Sequence, residues 1–462
     1  MTTFDTILPK IAEILSANGA EAAGIAPLVV NRDLNGRIRL IVDERHDGDA
    51  ASRRSLDTIA GRFEEALGPH AFPGGRAVLF EADIETFLKT QTWFPLDGYP
   101  QACVIDRLAT DDGWSTVSGG GSWPAPCIVF YSIKGGVGRS TALAATAWRL
   151  AEQGHRVMVL DLDLESPGLS SSLLPADRRP PFGMTDWLVE DLVDNGDAIL
   201  KDMFATSALS RDGEIIVVPA HGADPGEYVA KLGRIWMPKV TADGRREPWA
   251  DRLRRVIDRL VDRHSPDVLL IDSRAGIDDV ASACVAHLGA ELVLLFAVDG
   301  EQTWTGYRAL FRHWRKTGVD RKIRERLQIV AAMVPETDGG SVVRSLRDHA
   351  FEAFVDVGLY DAVAPGEIVD GEEVFSYDLT DTGAPHSPLP IRWHRGVQAI
   401  YSLHDGPHRF DAQQIQAIFG GLLSEIDQMM PVVWASGPGD EGIRRASTGT
   451  GPGPGERGER QG

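Results

Sequence analysis

CIVFYSIKGGVGRSTALAATAWRLAEQGHRVMVLDLDLESPGLSSSLL, residues 127–174, is the segment from which the rest of the chain can be placed. Its apolar opening, residues 127–131, reads as a buried strand bounded by a glycine-rich turn. The turn, Lys134-Gly135-Gly136-Val137-Gly138-Arg139-Ser140-Thr141, runs straight into a helical pattern over 142–153. Gly154 then stands where a helix C-terminus favours glycine. Strand, glycine loop and helix in that order make a device for capturing anions. Glycines let successive backbone N–H groups curl around a phosphate with no side chain in the way, and the helix start adds free donors and its dipole.

Against the general P-loop pattern G-x-x-x-x-G-K-[ST], the loop departs twice. Ile133 replaces the first glycine, and Arg139 stands where the phosphate-contacting lysine normally sits, while Lys134 is an extra cation directly before the glycines. Guanidinium is planar and bulkier than ammonium, so the exchange is not conservative at a phosphate, although a permanent charge is kept. The combination resembles the deviant-Walker-A ATPases of the ParA/MinD branch, and more closely the variant group whose loop reads KGGVGR. The resemblance covers residues 127–335. It implies ATP with Mg²⁺, cradled by Gly135, Gly136, Val137, Gly138, Arg139, Ser140 and Thr141, with the Ser140 hydroxyl on the metal. It also implies a nucleotide-sandwich homodimer in which Lys134 reaches across to the partner's phosphates. Nucleotide binding is expected to survive the arginine, and the hydrolysis rate is left open.

Two later strands end in acids. Residues 157–163 read VMVLDLD, and by the same resemblance the second aspartate orients the attacking water. Asp163 therefore joins Lys134 and Arg139 as the expected catalytic set. An acid at the C-terminal end of a strand beside the loop faces the crevice where open α/β sheets take ligands. The plainer alternative is a helix cap or a structural hydrogen bond. Residues 267–276 read DVLLIDSRAG, a Walker B strand whose Asp272 is expected beside Mg²⁺ through a bound water, so Ser140, Asp163 and Asp272 form the expected metal set. Gly276 suits a loop that moves with the γ-phosphate. Arg274 has two readings: a contact to γ-phosphate or the partner chain, or a local salt bridge to Asp278 or Asp279. No Asn/Thr-Lys-x-Asp guanine loop follows the late strand IVAAMVPE, so adenine is favoured, held by backbone near Met333 and Pro335.

At 462 residues there is room for two or three domains, and 43% hydrophobic with 25% charged residues is an ordinary globular balance. Apolar runs at 157–162, 214–219, 268–272, 292–298 and 327–334 alternate with helical patterns at 249–261, 278–288 and 303–314. That alternation indicates a parallel sheet covered on both faces. The expected class is α/β, a mostly parallel doubly wound P-loop NTPase sheet with a small N-terminal α+β domain. Residues 1–118 read as that first domain, with a helical stripe of Ile7, Ile11, Ile14 and Leu15 and a hairpin turn at Asn35-Gly36. A recognition or docking role is expected for it. Residues 119–126 read as a flexible linker, the nucleotide domain runs to 435, and the Gly-rich 436–462 reads as a disordered tail.

The net charge of −20 argues against a surface that coats nucleic acid broadly. Eight basic residues between Arg308 and Arg326 keep DNA in view as a partner, though a solvated helix face is the commoner explanation. The apolar stripe of the helical pattern at 412–430 faces glutamines and acids with no lysine or arginine, which an anionic bilayer would repel. It is expected to pack on the sheet. Three scattered cysteines fit a reducing cytoplasm and count against the iron–sulfur relatives of the fold. No apolar run approaches membrane-spanning length and no signal-peptide pattern opens the chain, so a cytoplasmic protein without a membrane partner is expected. Three functions compete: a nucleotide-driven dimeric ATPase switch signalling to an unknown protein partner, a non-hydrolysing nucleotide sensor, and a DNA-associated positioning ATPase. A tyrosine-kinase-like phosphotransferase is disfavoured, because no tyrosine follows Tyr401.

Overall fold

Asn35-Gly36 closes a hairpin, as its chemistry dictates: Gly36 sits at φ +76°, a conformation that glycine adopts without a Cβ penalty. The hairpin joins β1 (Leu28–Arg32) to β2 (Ile38–Asp43) in antiparallel register. β3 (Val78–Glu81) lies parallel to β2, and β4 (Phe94–Leu96) pairs antiparallel with β5 (Tyr99–Asp106), which runs parallel to β1. The sheet order is β3-β2-β1-β5-β4. Helices Phe4–Ala17 and Ala50–Leu67 lay Ile7, Ile11, Leu15, Ile59 and Phe63 on one face of it, and helix Ile84–Lys89 covers part of the other through Ile84. The computed structural model describes residues 2–107, 114, 117, 123–362, 374–394 and 412–430. Residues 119–122 of the expected linker and the expected disordered tail, 436–462, lie outside the described residues.

The larger sheet is built on β6 (Cys127–Ser132), β7 (Arg156–Asp161), β8 (Ala205–Thr206) and β9 (Glu214–Val218). After a two-stranded ribbon of β10 (Lys239–Val240) and β11 (Arg246–Glu247), it continues with β12 (Val268–Ala275), β13 (Leu292–Ala297), β14 (Leu327–Val334) and β15 (Leu389–Arg392). Its order is β15-β14-β13-β6-β12-β7-β9-β8, and every pairing except β8–β9 is parallel. Strand side chains alternate between two cores. Cys127, Val129 and Tyr131 enter the core shared with helices Trp249–His264 and Glu301–Thr317, while Ile128 and Phe130 enter the one under helix Arg139–Glu152. Burial on both faces is why these strands read as unbroken apolar runs. The fold is thus the mostly parallel, doubly wound sheet expected.

Edges are where the sequence reading fell short. β15 contains Pro390, which removes a ladder donor and is tolerated at a sheet edge, and β8 is two residues long. Neither has an apolar run to signal it. The helix Ala412–Met429 buries Ile415, Ile418, Phe419, Leu422 and Ile426 against the second core beside Ile391 of β15, so it packs on the sheet as expected. Among the described residues no helix is long and apolar enough to cross a membrane.

Candidate functional site

Between β6 and helix Arg139–Glu152 the chain turns on two left-handed glycines, Gly136 at φ +74° and Gly138 at φ +81°. A Cβ built on Gly135, Gly136 or Gly138 meets nothing within 4 Å, so open space lies over these peptide groups. Val137 is 5% exposed and pins the loop to the core below. The start of the helix leaves its first N–H groups free for a ligand. Lys134 is exposed and makes no hydrogen bond or ion pair among the described residues.

Ile133, which departs from the P-loop pattern, has a structural partner. A Cβ on Gly306 of helix Glu301–Thr317 would lie 2.4 Å from Ile133 Cγ2, so the isoleucine occupies the notch that this glycine leaves. The two departures from expectation, a bulky loop residue and a mid-helix glycine, are therefore one feature. Gly306→Ala is expected to destabilise by about 1–3 kcal/mol through overpacking. Gly233, a helical glycine with open space around it, is the control: Gly233→Ala is expected to stabilise by up to about 1 kcal/mol. Urea denaturation of both variants checks the opposite signs.

Strand order brings the acids together. β6, β12 and β7 are neighbours, and Asp272 and Asp161 sit directly opposite in register. Arg139, 7% exposed, bonds to the end of β6, to β12 and to the segment just after β7. Its Nε–H donates to Asp272 Oδ1 at 2.6 Å, Nη2 to Asp163 Oδ2 at 3.1 Å, and Nη1 to Ser132 Oγ at 3.4 Å. Burial raises the pKa of Asp272, opposed by the Arg139 charge and by the Ser140 hydroxyl. Asp161 is pushed up to about 7 by burial and by Asp272 beside it, against hydrogen bonds donated by the Ser170 N–H at 3.1 Å and its hydroxyl at 2.7 Å. Asp161 and Ser132 were not singled out from the sequence. A clue was present in the D-L-D spacing, but only strand pairing reveals which carboxylate is buried.

The loops beyond β7 and β12 are tied to each other. Arg274 Nη2 lies 2.7 Å from Glu165 Oε2 and its Nε 3.3 Å from Asp278 Oδ2, so the local salt bridge is present and Glu165 is drawn into it. Asp163 Oδ1 accepts from the Ser166 hydroxyl at 2.9 Å, and the Tyr131 hydroxyl donates to the Gly276 carbonyl at 3.0 Å. Met333, at φ +56°, and the exposed Pro335 lie at the C-terminal end of β14, on the same sheet edge but separated from β6 by β13. The basic stretch is partly neutralised. Arg308 faces Glu352 and Asp356 at 3.7 and 3.8 Å, Arg315 pairs with Asp320 at 3.0 Å and Arg324 with Asp361 at 2.8 Å. Lys316 lies over the Phe94 ring at 5.4 Å, where the two sheets' elements meet.

The residues present fit a phosphate and a hard cation. The glycine cradle is open, and Asp272 Oδ2 is buried with no hydrogen-bond partner among the described residues. An oxygen left in that state costs about 1–3 kcal/mol unless a ligand meets it. Ser140, Asp272 and Asp163 are oxygen donors of the kind Mg²⁺ takes, with phosphate oxygens and water completing its shell. Among the described residues no group of three or more His, Cys, Asp or Glu could hold a metal alone.

Residues 125–186 match the ParA family model, described as an NUBPL iron-transfer P-loop NTPase. No curated protein matches the chain. Among solved structures, MinD from Pyrococcus horikoshii complexed with Mg-ADP is 25% identical, with 46% of this chain and 71% of that one covered and a TM-score of 0.31. MinD from Pyrococcus furiosus is 20% identical over 66% and 99% of the two chains, with a TM-score of 0.38. A ParA family ATPase from Chlorobium tepidum is 15% identical over 66% and 98%, with a TM-score of 0.39. The family match runs through the glycine cradle, its strand and its helix, and supports a P-loop NTPase of the ParA/MinD branch.

Proposed function

We propose that this protein is an ATP-binding molecular switch that closes into a homodimer on the nucleotide and signals to a protein partner through residues 1–118. The observation that carries the reading is the open cradle of Gly135, Gly136 and Gly138 at a helix N-terminus, set beside the buried acids Asp161 on β7 and Asp272 on β12. Backbone N–H groups from Gly135 to Thr141 would hold the phosphates. Mg²⁺, when bound at Ser140, Asp272 and Asp163, would neutralise charge on the phosphate oxygens. Asp163 would orient water, and Lys134, which has no partner among the described residues, would reach a second chain. Met333 and Pro335 would border the adenine, and the Arg274–Glu165 link would report the state of the site to the surface.

One observation favours a second reading, a non-hydrolysing sensor: Asp163 is engaged by Arg139 through one oxygen and by Ser166 through the other, contacts that compete with water for its lone pairs. A DNA-associated role has less support, since acids neutralise Arg308, Arg315 and Arg324. Calorimetry with ATP, ADP and GTP tests the site, and the absence of heat with adenine nucleotides would sink the reading. Light scattering with ATP and Mg²⁺ tests the switch. Lys134→Ala is expected to abolish ATP-dependent dimerisation while weakening binding to the single chain by less than about fivefold, the scale of one exposed charge contact. ADP release from wild type and from Asp163→Ala separates hydrolysing switch from sensor.

A further inference from the structure

The five-stranded sheet of residues 1–118 has two unlike faces. One is packed under helices Phe4–Ala17 and Ala50–Leu67, while on the other, helix Ile84–Lys89 covers Val29, Ile41 and Ile105. One strand period further along that second face, the apolar residues give way to Asn31 and Arg39, which sit opposite each other in register. Arg37, just before β2, and Arg107, just after β5, flank them. Phe72, 8% exposed, joins neither core of these residues and is covered by arginines. The guanidinium carbon of Arg39 lies 3.6 Å from the ring centre and that of Arg37 5.7 Å. Trp93, 44% exposed, precedes β4, and the alternation that sends Phe94 into the opposite core turns it to this face.

What this half of the face offers is chiefly hydrogen-bond donors. Arg107 Nε donates to Asn31 Oδ1 at 3.2 Å and Nη1 to Gln91 Oε1 at 2.6 Å, so both amide oxygens already accept. Arg39 Nε is buried with no hydrogen-bond partner, and among the described residues no acid pairs with Arg37, Arg39 or Arg107. Nearby acids are engaged elsewhere: Asp33 accepts from the N–H groups of Asn35 and Arg37, and Asp106 holds Arg32 on the opposite face. The chain has 67 acids to 47 lysines and arginines, so acids for a local pairing are not scarce. Like charges gathered without a carboxylate repel one another, and an arriving anion relieves that repulsion. Three neighbouring strands about 4.8 Å apart span about 10 Å, the width of one extended chain and too narrow for a nucleic-acid duplex. The net charge of −20 repels a long phosphate chain as a whole. A few carboxylates instead feel mainly the arginines within a Debye length of about 8–10 Å.

We propose that Arg37, Arg39, Arg107 and Trp93 form a docking surface for an extended acidic peptide of a partner protein. Its carboxylates bond the guanidinium groups while an apolar side chain covers Trp93. This names the chemistry of the partner in the signalling role proposed above and rests on that reading for its purpose, whereas the binding itself needs no nucleotide.

The probe is a fluorescein-labelled glutamate peptide of about ten residues with a central leucine, added to the full chain and followed by fluorescence anisotropy at low salt. Saturable binding is expected, weakened about tenfold by Arg107→Gln or Arg37→Gln. Arg62→Gln, on the helix across the other face, is expected to change it by less than about twofold. Arg37 is exposed and its removal leaves Arg39 over Phe72, so Arg37→Gln decides the matter should Arg107→Gln fail to fold. Trp93→Ala is expected to weaken this peptide about fivefold and an all-glutamate one by less than about twofold. No saturable binding, or equal losses in Arg62→Gln and Arg37→Gln, overturns the proposal. An oligothymidylate that binds more tightly than the peptide, and is released by Arg37→Gln, overturns it in favour of single-stranded nucleic acid. Peptide affinity indifferent to ATP and Mg²⁺ supports the docking surface and overturns the signalling role of residues 1–118 instead.

Discussion

Arg139→Met is expected to lose about 3–5 kcal/mol of stability, an unusually large effect for a residue in a ligand loop. Removing the guanidinium leaves the buried Asp272 and the largely buried Asp163 without their shared counter-ion, beside Asp161, which already sits at about 7 through burial and the Asp272 charge. The loss comes from stranding the acids and not from missing contact area, since methionine retains most of the stem. A double variant distinguishes the two: Arg139→Met with Asp272→Asn is expected to recover a substantial share, because the amide needs no counter-ion. Urea denaturation of the wild type, both single variants and the double variant gives the coupling directly. Additive losses would show that Arg139 acts through packing alone.

Far from the cradle, Asp191→Ala is expected to produce a loss of similar size, about 3–5 kcal/mol, with a distinctive pH dependence. The Asp191 carboxylate, 3% exposed as a residue, accepts from Arg252 Nε at 2.9 Å, Arg255 Nη1 and Nη2 at 3.0 and 2.8 Å, and Lys239 Nζ at 3.1 Å. Arg252 is fully buried, and its remaining donors go to the carbonyls of Leu188, Ile235 and Met237. Without Asp191 its charge would keep only those carbonyls and the field of Glu247, which makes no hydrogen bond to it among the described residues. Burial by itself would raise the Asp191 pKa, but the hydrogen bonds from Arg255, Arg252 and Lys239 outweigh it and bring the value down to about 2. A depressed carboxylate stabilises above its unfolded pKa of about 3.9, and that contribution is lost as pH falls towards the folded value. The gap between wild type and Asp191→Ala is therefore expected to hold from pH 8 to about 5 and to narrow below about 4. Urea midpoints measured across that range check it; a gap that stayed constant down to pH 3 would assign the loss to packing.

The local layer of this protein was legible in its sequence. Strands β6, β7, β12, β13 and β14 announced themselves as apolar runs because both faces of each are buried, and the helices between them carried their own periodicity. Gly136 and Gly138 were readable as a cradle because only glycine takes those φ values without strain. Asp272 was legible as the acid that closes the apolar run of β12, although the strand continues past it to Ala275.

Partnerships across the sheet were not legible. Arg139 meets Asp163 across 24 positions and Asp272 across 133, distances in sequence that no periodicity spans. Its direction depends on β6 lying between β12 and β13, with β7 beyond β12, an order that strand composition does not encode. Arg274 had a foreseen acid four residues away and an unforeseen one in Glu165, brought to it by the same strand order. Ile133 looked like a defect in a motif until Gly306, on another helix, supplied the space it fills. Short-range order follows from backbone geometry and side-chain period, so the chain alone determined the elements and the cradle. Which charges meet beneath that cradle was decided by tertiary packing, because an ion pair's partner is whichever group the fold leaves within reach when water is excluded.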